Sequence, residues 1–409
     1  MTAEPPLRMA LYAGIFVHRD AVSNSLRHKL DALHRLVELG APLEITVFTQ
    51  ACDDVVSEVH VVDSVAELIA YEEFWSADVH IFEEGMYYDL FNSVFVLPPD
   101  RPILAIDHNT TPPELVDVAE SKASCERSLI QRHNLALARH VACVSELNLE
   151  LVRSVGIPED RLSVLHLPPA IAPSAPPASL TERSGPVRVL YLGRFVRAKG
   201  IVDMLELVDR LLARGGGGIE VTLAGDPRFS DPEVVRAIEE KVQAAPPGSL
   251  ELVLAPSDDV LAQLFDSTDV LVIPSFHEGY CVPVVEAFSF RRFVIAYDAG
   301  NLPNIVGGLG LLVPTGDVDA LEEAVLRFAD ALARAREGGS LLLPTMHGDM
   351  SEERWFEAVQ AHLEGYSATN FERQFLALLR VLVGQSPHGL SPEVDKAISA
   401  RESELDGVS

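Results

Sequence analysis

Short apolar runs rich in branched residues alternate with amphipathic stretches along most of this chain. Met9-Ala-Leu-Tyr-Ala13, Ile45-Thr-Val-Phe48, Val79-His-Ile-Phe82 and Ile103-Leu-Ala-Ile106 fall in its first part. Val187-Arg-Val-Leu-Tyr-Leu192, Glu220-Val-Thr-Leu-Ala224 and Asp269-Val-Leu-Val-Ile-Pro274 fall in its second. Near-continuous apolar runs of this length read as strands of parallel sheets covered on both faces, and their alternation with helical periods predicts α/β layers. Between the two sets lies Pro168-Pro-Ala-Ile-Ala-Pro-Ser-Ala-Pro-Pro177, continuing to Gly185-Pro186, with neither period; it reads as a linker. After Asp317 the pattern turns helical, through 320–328 and again from Ser351 to Val383, with Glu337-Gly-Gly339 as the break. Gly215-Gly-Gly-Gly218 follows a helix and precedes a strand, so it reads as a helix stop, since phosphate loops have the opposite order. The expected division is 1–170, a linker at 171–186, 187–350, and C-terminal helices at 351–409 with a polar tail from Gln385 that frays.

Two strand-to-helix turns in the second part carry the candidate chemistry. Ser275-Phe-His-Glu-Gly-Tyr-Cys-Val-Pro-Val-Val-Glu286 places Glu278 and Glu286 across one such turn, with Pro283 suited to the first turn of the following helix. Backbone N–H groups of Gly279, Tyr280, Cys281 and Val282 at a helix N-terminus favour phosphate. The two carboxylates add acceptors for hydroxyl-rich groups on either side of it, a pattern that suits a nucleotide sugar. Gly193-Arg194-Phe-Val-Arg197-Ala-Lys199-Gly200 follows the strand ending at Leu192. Gly193 and Gly200 permit tight backbone, and Arg194 and Lys199, with Arg197 possible, supply cations for a diphosphate. Against this stands a plainer reading, in which Glu278 caps the helix and Glu286 favours its first turns.

These residues resemble the family 4 retaining glycosyltransferases of GT-B fold, whose members carry G-R-x4-K-G and then E-x7-E, here Gly193 to Gly200 and Glu278 to Glu286. Arg139-His-Val-Ala-Cys-Val-Ser-Glu146, Leu151 to Pro158 and Arg161 to Leu165 resemble the end of that family's N-terminal domain. Asp298-Ala-Gly-Asn-Leu-Pro303 and Gly308 to Asp317 resemble its later strands. Arg19-Asp20-Ala-Val-Ser-Asn24 and Asp107-His108-Asn109-Thr-Thr-Pro-Pro113 resemble loops of a bacterial subgroup acting on polysaccharides and related glycans.

The resemblance implies two Rossmann-like doubly wound domains facing a central cleft, with a C-terminal helix, here Tyr366 to Val383, crossing back to the N-terminal domain. It implies a metal-independent hexosyltransferase whose co-substrate is a UDP- or GDP-linked sugar and whose acceptor is a glycan or small-molecule hydroxyl, with no other cofactor. Arg194 and Lys199 would neutralise the leaving diphosphate, Glu278 would hold sugar hydroxyls, and Glu286 would hold the ribose. His108 would touch the transferred sugar, with Asp20, Asn24 and Asn109 on the acceptor side. Plainer roles stand beside these: Asp20 and Asn24 as helix caps, His108 and Asn109 as organisers of a proline-stiffened turn. The first strand is followed by Gly14 alone, so phosphate contact from that loop is not expected. Two other readings stand beside this one: another GT-B enzyme of the same architecture, such as a nucleotide-sugar epimerase or a phosphorylase, and, in a different class, a catalytically silent nucleotide-sugar-binding scaffold or regulatory partner.

Composition adds bounds. A chain of 409 residues with 48% apolar content can bury two cores. Its formal charge of −29 argues against nucleic acid and against docking on an anionic leaflet through a broad basic face. It reflects either a saline habitat or a cationic acceptor. Arg27-His28-Lys29 with Arg35 is the nearest thing to a basic cluster. Cys52, Cys125, Cys143 and Cys281 lack paired or zinc-type spacing, so a reduced cytoplasmic setting is expected. Cys281 reads as a small residue permitting close backbone approach, with a reactive thiol as the alternative. No metal site, leader or membrane span is expected.

Overall fold

The computed structural model describes residues 5–18, 20–53, 58–214, 218–386 and 389–407, with the backbone but not the side chain of Phe229. Arg19 and most of the Gly215–Gly218 run therefore lie outside the described residues. The chain divides into two compact units, one of residues 1–113, 118–168 and 367–409, the other of 114–117 and 169–366.

The first unit is built on a seven-stranded sheet: β1 (Leu7–Ala13), β2 (Leu43–Thr49), β3 (Val59–Val61), β4 (Val79–Glu84), β5 (Ile103–Asp107), β6 (His140–Cys143) and β7 (Leu162–Val164). Their order is β3-β2-β1-β4-β5-β6-β7, with every pairing parallel. β4 and β5 are buried along their whole length, as continuous runs in a doubly covered sheet must be. The order reverses between β1 and β4, so the loops that leave their carboxyl ends diverge and leave room for a ligand. Helix α1 (Ala21–Glu38) turns Leu26, Leu30, Leu33 and Leu36 inward, and Lys29 lies in that same buried stripe.

The second unit repeats the plan with β8 (Val187–Leu192), β9 (Ile219–Gly225), β10 (Leu250–Leu254), β11 (Val270–Ile273), β12 (Phe293–Tyr297) and β13 (Leu311–Val313). Their order is β10-β9-β8-β11-β12-β13, again all parallel, with the reversal between β8 and β11. Those two strands lead into α2 (Ile201–Ala213) and α3 (Val282–Ser289), so both candidate turns leave the sheet at its switch point. Further along are α4 (Val318–Arg336), an antiparallel hairpin of β14 (Leu342–Thr345) and β15 (Gly348–Ser351), and α5 (Glu352–Leu363). The hairpin escapes sequence reading because its strands are four residues long and one contains a proline.

Two expectations for the C-terminus need correction. Residues 351–366 stay with the second unit: Trp355 is fully buried and donates to the Leu309 carbonyl at 2.6 Å. Glu352, at the start of α5, accepts from Leu180 N at 2.9 Å and Ser179 Oγ at 2.7 Å and pairs with Arg291 at 2.9 Å. The return to the first unit begins at Ser367, with α6 (Ala368–Val383), which buries Phe371, Phe375, Leu376 and Leu379 and pairs Glu372 with Arg35 of α1 at 2.8 Å. The tail does not fray: α7 (Pro392–Asp406) buries Val394, Ala397, Ile398 and Leu405, while Asp395 and Glu402 each pair with Arg380 at 2.9 Å. Its polar composition hides these few apolar contacts. Asp298–Asn301 is likewise a turn after β12 rather than part of a strand.

The basic cluster also dissolves as a surface feature. Lys29 is completely buried, Arg35 is engaged by Glu372, and Arg27 donates to the Val17 carbonyl and to Asn24. Among the described residues no helix is long and apolar enough to cross a membrane.

Candidate functional site

In the second unit the two turns interlock. Lys199 Nζ lies 2.7 Å from Glu278 Oε2, and Ser275 Oγ donates to Glu278 Oε1 at 2.7 Å. The Tyr191 hydroxyl at the end of β8 donates to the carbonyls of Arg194 (2.9 Å) and Lys199 (3.3 Å), fixing the path of the first turn. Gly200 closes that turn at φ +67°, and a Cβ there would fall 1.7 Å from the Pro274 carbonyl oxygen. Only glycine tolerates both the conformation and the contact. At Gly193 a Cβ would make ordinary contact with Tyr191, so the fold itself does not demand a glycine there.

The second turn is held from β12. Asn301 N donates to the Glu278 carbonyl at 2.8 Å, and Gly300, at φ +57°, would bring a Cβ within 2.4 Å of that same oxygen. Gly279 and Tyr280 follow, and Cys281 takes the N-cap position of α3 in a left-handed conformation, φ 82° and ψ 66°, with Val282 and Pro283 beginning the helix. A left-handed non-glycine at a helix start is strained by about 1–3 kcal/mol. Burial and the neighbouring Glu278 push the Cys281 thiol well up, against the pull of Lys199, so it stays protonated and the reactive-thiol alternative loses its chemistry. Because Cys281 feels Lys199, Glu278 and Glu286 together, the three charged groups surround one turn.

Arg194 and Glu286 differ sharply in environment. Arg194 is exposed and, among the described residues, its guanidinium has no ion-pair partner. Arg197, by contrast, is engaged by Asp117 at 3.2 Å. Glu286 is buried on α3 and accepts from the backbone N–H groups of Ala170 and Ile171. Burial raises its pKa to about 7, the two N–H groups opposing the rise and Asp258 adding to it.

In the first unit the sequence candidates gather around residues that sequence reading passed over. His108 Nε2 lies 2.6 Å from Glu83 Oε2, whose other oxygen is 2.8 Å from Lys29 Nζ, with Glu83 and Lys29 fully buried. Burial alone would raise the Glu83 carboxyl; Lys29 and His108 outweigh it and hold the group below its ordinary value. Burial lowers Lys29, with Glu83 opposing. Next to this network, Glu84 and Asp107 face each other in register at the ends of β4 and β5, both fully buried, with Arg132 Nε 3.4 Å from Asp107. Burial and Asp107 drive the Glu84 carboxyl well up, against the pull of Arg132.

The remaining candidates have local roles. Asp20 is the N-cap of α1, accepting from Ser23 N at 2.8 Å, and Asn24 accepts from Arg27 at 3.2 Å. Asn109 takes a left-handed φ of 73° directly after His108. The structure thus brings Lys199, Glu278, Cys281 and Glu286 to one turn, with Arg194 beside it, and sets His108 on a buried network. Ser275, Tyr191, Asn301, Lys29 and Glu83 are the supporting residues that sequence reading left out. Adjacent acidic residues closing the apolar strand Val79–Glu84 are the one signal that pointed to Glu83.

Residues 186–331 match the sequence profile of the family described as "Glycosyl transferases group 1". The chain is 25% identical over 210 residues to the O-antigen chain mannosyltransferase B of Escherichia coli, covering 49% of this chain and 54% of that one. It is 29% identical over 233 residues to the 2-deoxystreptamine N-acetyl-D-glucosaminyltransferase of Streptomyces fradiae, covering 53% of each. The chain thus spans about half the length of these curated relatives. In three dimensions it resembles the sucrose-phosphate synthase of Thermosynechococcus elongatus, with a TM-score of 0.67 at 20% identity over 94% of this chain and 100% of that one. It also resembles Anabaena Alr3699/HepE, solved in complex with UDP-glucose, with a TM-score of 0.65 at 14% identity over 91% and 99%. These likenesses show the GT-B fold, and residues 186–331 are similar to the glycosyl transferases group 1.

Proposed function

We propose that the protein is a retaining glycosyltransferase that moves a hexose from a UDP- or GDP-linked sugar to a hydroxyl of a glycan or small molecule, without a metal ion. The observation that carries this reading is Arg194: an exposed cation without an ion-pair partner, beside the Lys199–Glu278 pair at the switch point of a Rossmann-like sheet. In a chain of net charge −29, a cation left open at that position is matched to an anion from outside. The names of the curated relatives, a mannosyltransferase and an N-acetylglucosaminyltransferase, support sugar transfer, and the UDP-glucose bound to the Anabaena protein supports a nucleotide-linked donor.

In the proposed reaction the acceptor hydroxyl oxygen forms a bond to the anomeric carbon on the face that the diphosphate leaves. The bond from that carbon to the diphosphate oxygen breaks, its electron pair stays with the diphosphate, and the hydroxyl proton passes to it. Arg194 and Lys199 stabilise the charge that builds there. Glu278, oriented by Ser275 and Lys199, accepts from sugar hydroxyls, Glu286 accepts from the ribose diol, and the backbone from Gly279 to Val282 faces the phosphates. By the same resemblance His108 contacts the transferred sugar, and Asp20, Asn24 and Asn109 serve the acceptor.

Calorimetry with UDP, GDP, ADP and dTDP and their common sugars, with and without EDTA, tests the reading. Binding of one nucleotide family that survives EDTA and is lost in Arg194→Ala is the expected result, followed by transfer to an acceptor with the donor's anomeric configuration kept. Binding without turnover on any acceptor would favour a silent scaffold, and an inverted product would overturn retention.

A further inference from the structure

His108 is tied to the sheet twice. Its backbone N–H donates to the Glu84 carbonyl at 2.7 Å and its ring meets Glu83, one strand away, at 2.6 Å. Gly85 makes room for this: a Cβ there would stand 3.0 Å from the Cβ of His108. The ring is only 4% exposed, so neither its orientation nor its partner is a matter of surface chance.

The third member of the chain of contacts decides what Glu83 can do. A carboxylate facing a histidine alone raises the basicity of the ring and makes a proton-abstracting pair. Here Glu83 is already neutralised by Lys29 at 2.8 Å, inside the helix stripe that packs on the sheet, with Ser25 Oγ donating to it at 3.2 Å and the Phe371 ring 5.4 Å from the lysine nitrogen. A carboxylate held by Lys29 and Ser25 stays in one place, so it accepts from the ring N–H in a single geometry.

We propose that Lys29 and Glu83 are positioning residues that hold the His108 ring with Nε2–H on Glu83, leaving the Nδ1 lone pair to accept a hydrogen bond from a substrate hydroxyl. This rests on the reading of His108 as a substrate contact. Among the described residues Nδ1 has no hydrogen-bond partner of its own. The network thus makes His108 a fixed acceptor that recognises a hydroxyl group, and it assigns buried ionic groups on α1 and β4 to substrate selection.

The test is ring-nitrogen NMR of the full-length protein labelled with 15N-histidine, with the His108 signals identified by their loss in His108→Gln. At pH 8 the wild type should show one protonated nitrogen, Nε2, and one pyridine-like nitrogen, Nδ1. In Lys29→Met/Glu83→Leu, which removes both charges and keeps the volume close, the signals should move towards the averaged values of a free imidazole, and kcat should fall by roughly 10- to 100-fold. Lys29→Met/Glu83→Gln, which leaves no buried lysine unpaired and can still bond the ring, should retain the tautomer and keeps the test open if the first double variant does not fold. A wild-type ring protonated at Nδ1, or an unchanged tautomer in the double variant, overturns the lock. Full transfer activity in His108→Gln overturns the substrate contact instead, and the wild-type spectrum reports on the lock independently of that result.

Discussion

Lys199 and Glu278 meet at 2.7 Å although they belong to turns after two different strands, β8 and β11. The pair makes one unit out of two motifs: a cation expected at the diphosphate and a carboxylate expected at the sugar hold each other in place. Glu278 is 8% exposed, so removing its partner leaves a nearly buried carboxylate with only Ser275. Lys199→Met should cost about 1–3 kcal/mol in thermal unfolding and lower transfer as well. Glu278→Gln, which can still accept from Lys199, should keep most of the stability while lowering kcat. Equal losses of stability in both variants would argue against this division.

Arg194 is the opposite case. With no ion pair to lose, Arg194→Ala should shift unfolding by no more than about 0.5 kcal/mol. The same change should weaken nucleoside diphosphate binding by roughly 10- to 100-fold, the worth of one or two charge-assisted hydrogen bonds. Calorimetry at two salt concentrations checks this, since the wild type should lose more affinity to salt than the variant.

Glu286 makes the fold sensitive to pH. Its folded pKa of about 7 lies above the ordinary 4.5, so the folded state holds the proton more tightly than the unfolded state does. Its contribution is therefore fully present below pH 4.5 and is lost as the pH rises to about 7, by up to about 3 kcal/mol. Glu286→Gln, which still accepts from Ala170 and Ile171, should remove that slope. Urea unfolding of the two proteins from pH 4.5 to 8 measures it, with the stability difference moving in favour of the variant as pH rises. Nucleotide binding should run the other way in the wild type, tightening as the carboxylate ionises.

Gly200→Ala should be among the most damaging small substitutions in the chain. It adds a Cβ that must move from 1.7 Å off the Pro274 carbonyl while the backbone sits at φ +67°. A loss of about 3 kcal/mol or more is expected in thermal unfolding, with β8 and β11 forced apart where the site forms. Gly193→Ala should be mild in the same assay, and any loss it causes should appear in nucleotide binding.

The second unit's turns were legible because their chemistry is local. A buried strand, two glycines, two cations and a carboxylate eight positions before another define strand, turn and helix start within a dozen residues, and the helix beginning at Val282 follows from Pro283. The tail was misread for the complementary reason: α7 is polar along most of its length, and the four residues it buries matter only once the rest of the first unit is there to receive them. The hairpin Leu342–Ser351 was missed because strands of four residues leave no period to detect.

Sequence alone thus determined the alternation of strands and helices, and with it two parallel-sheet units, because burial on both faces of a parallel sheet forces apolar runs whose length and spacing can be counted. It also determined which ionic residues stand at the turns of the second unit. Tertiary structure alone decided which of those charges are paired and which stand open: Lys199 is paired with Glu278, Arg197 with Asp117, and Arg194 with no ion-pair partner among the described residues. It alone turned Lys29 from a surface cation into a fully buried partner of Glu83 and so of His108. The reason is that desolvation and pairing are properties of three-dimensional neighbours, and residues 54 and 25 positions from Glu83 in sequence become its neighbours only when α1 and β5 pack around β4.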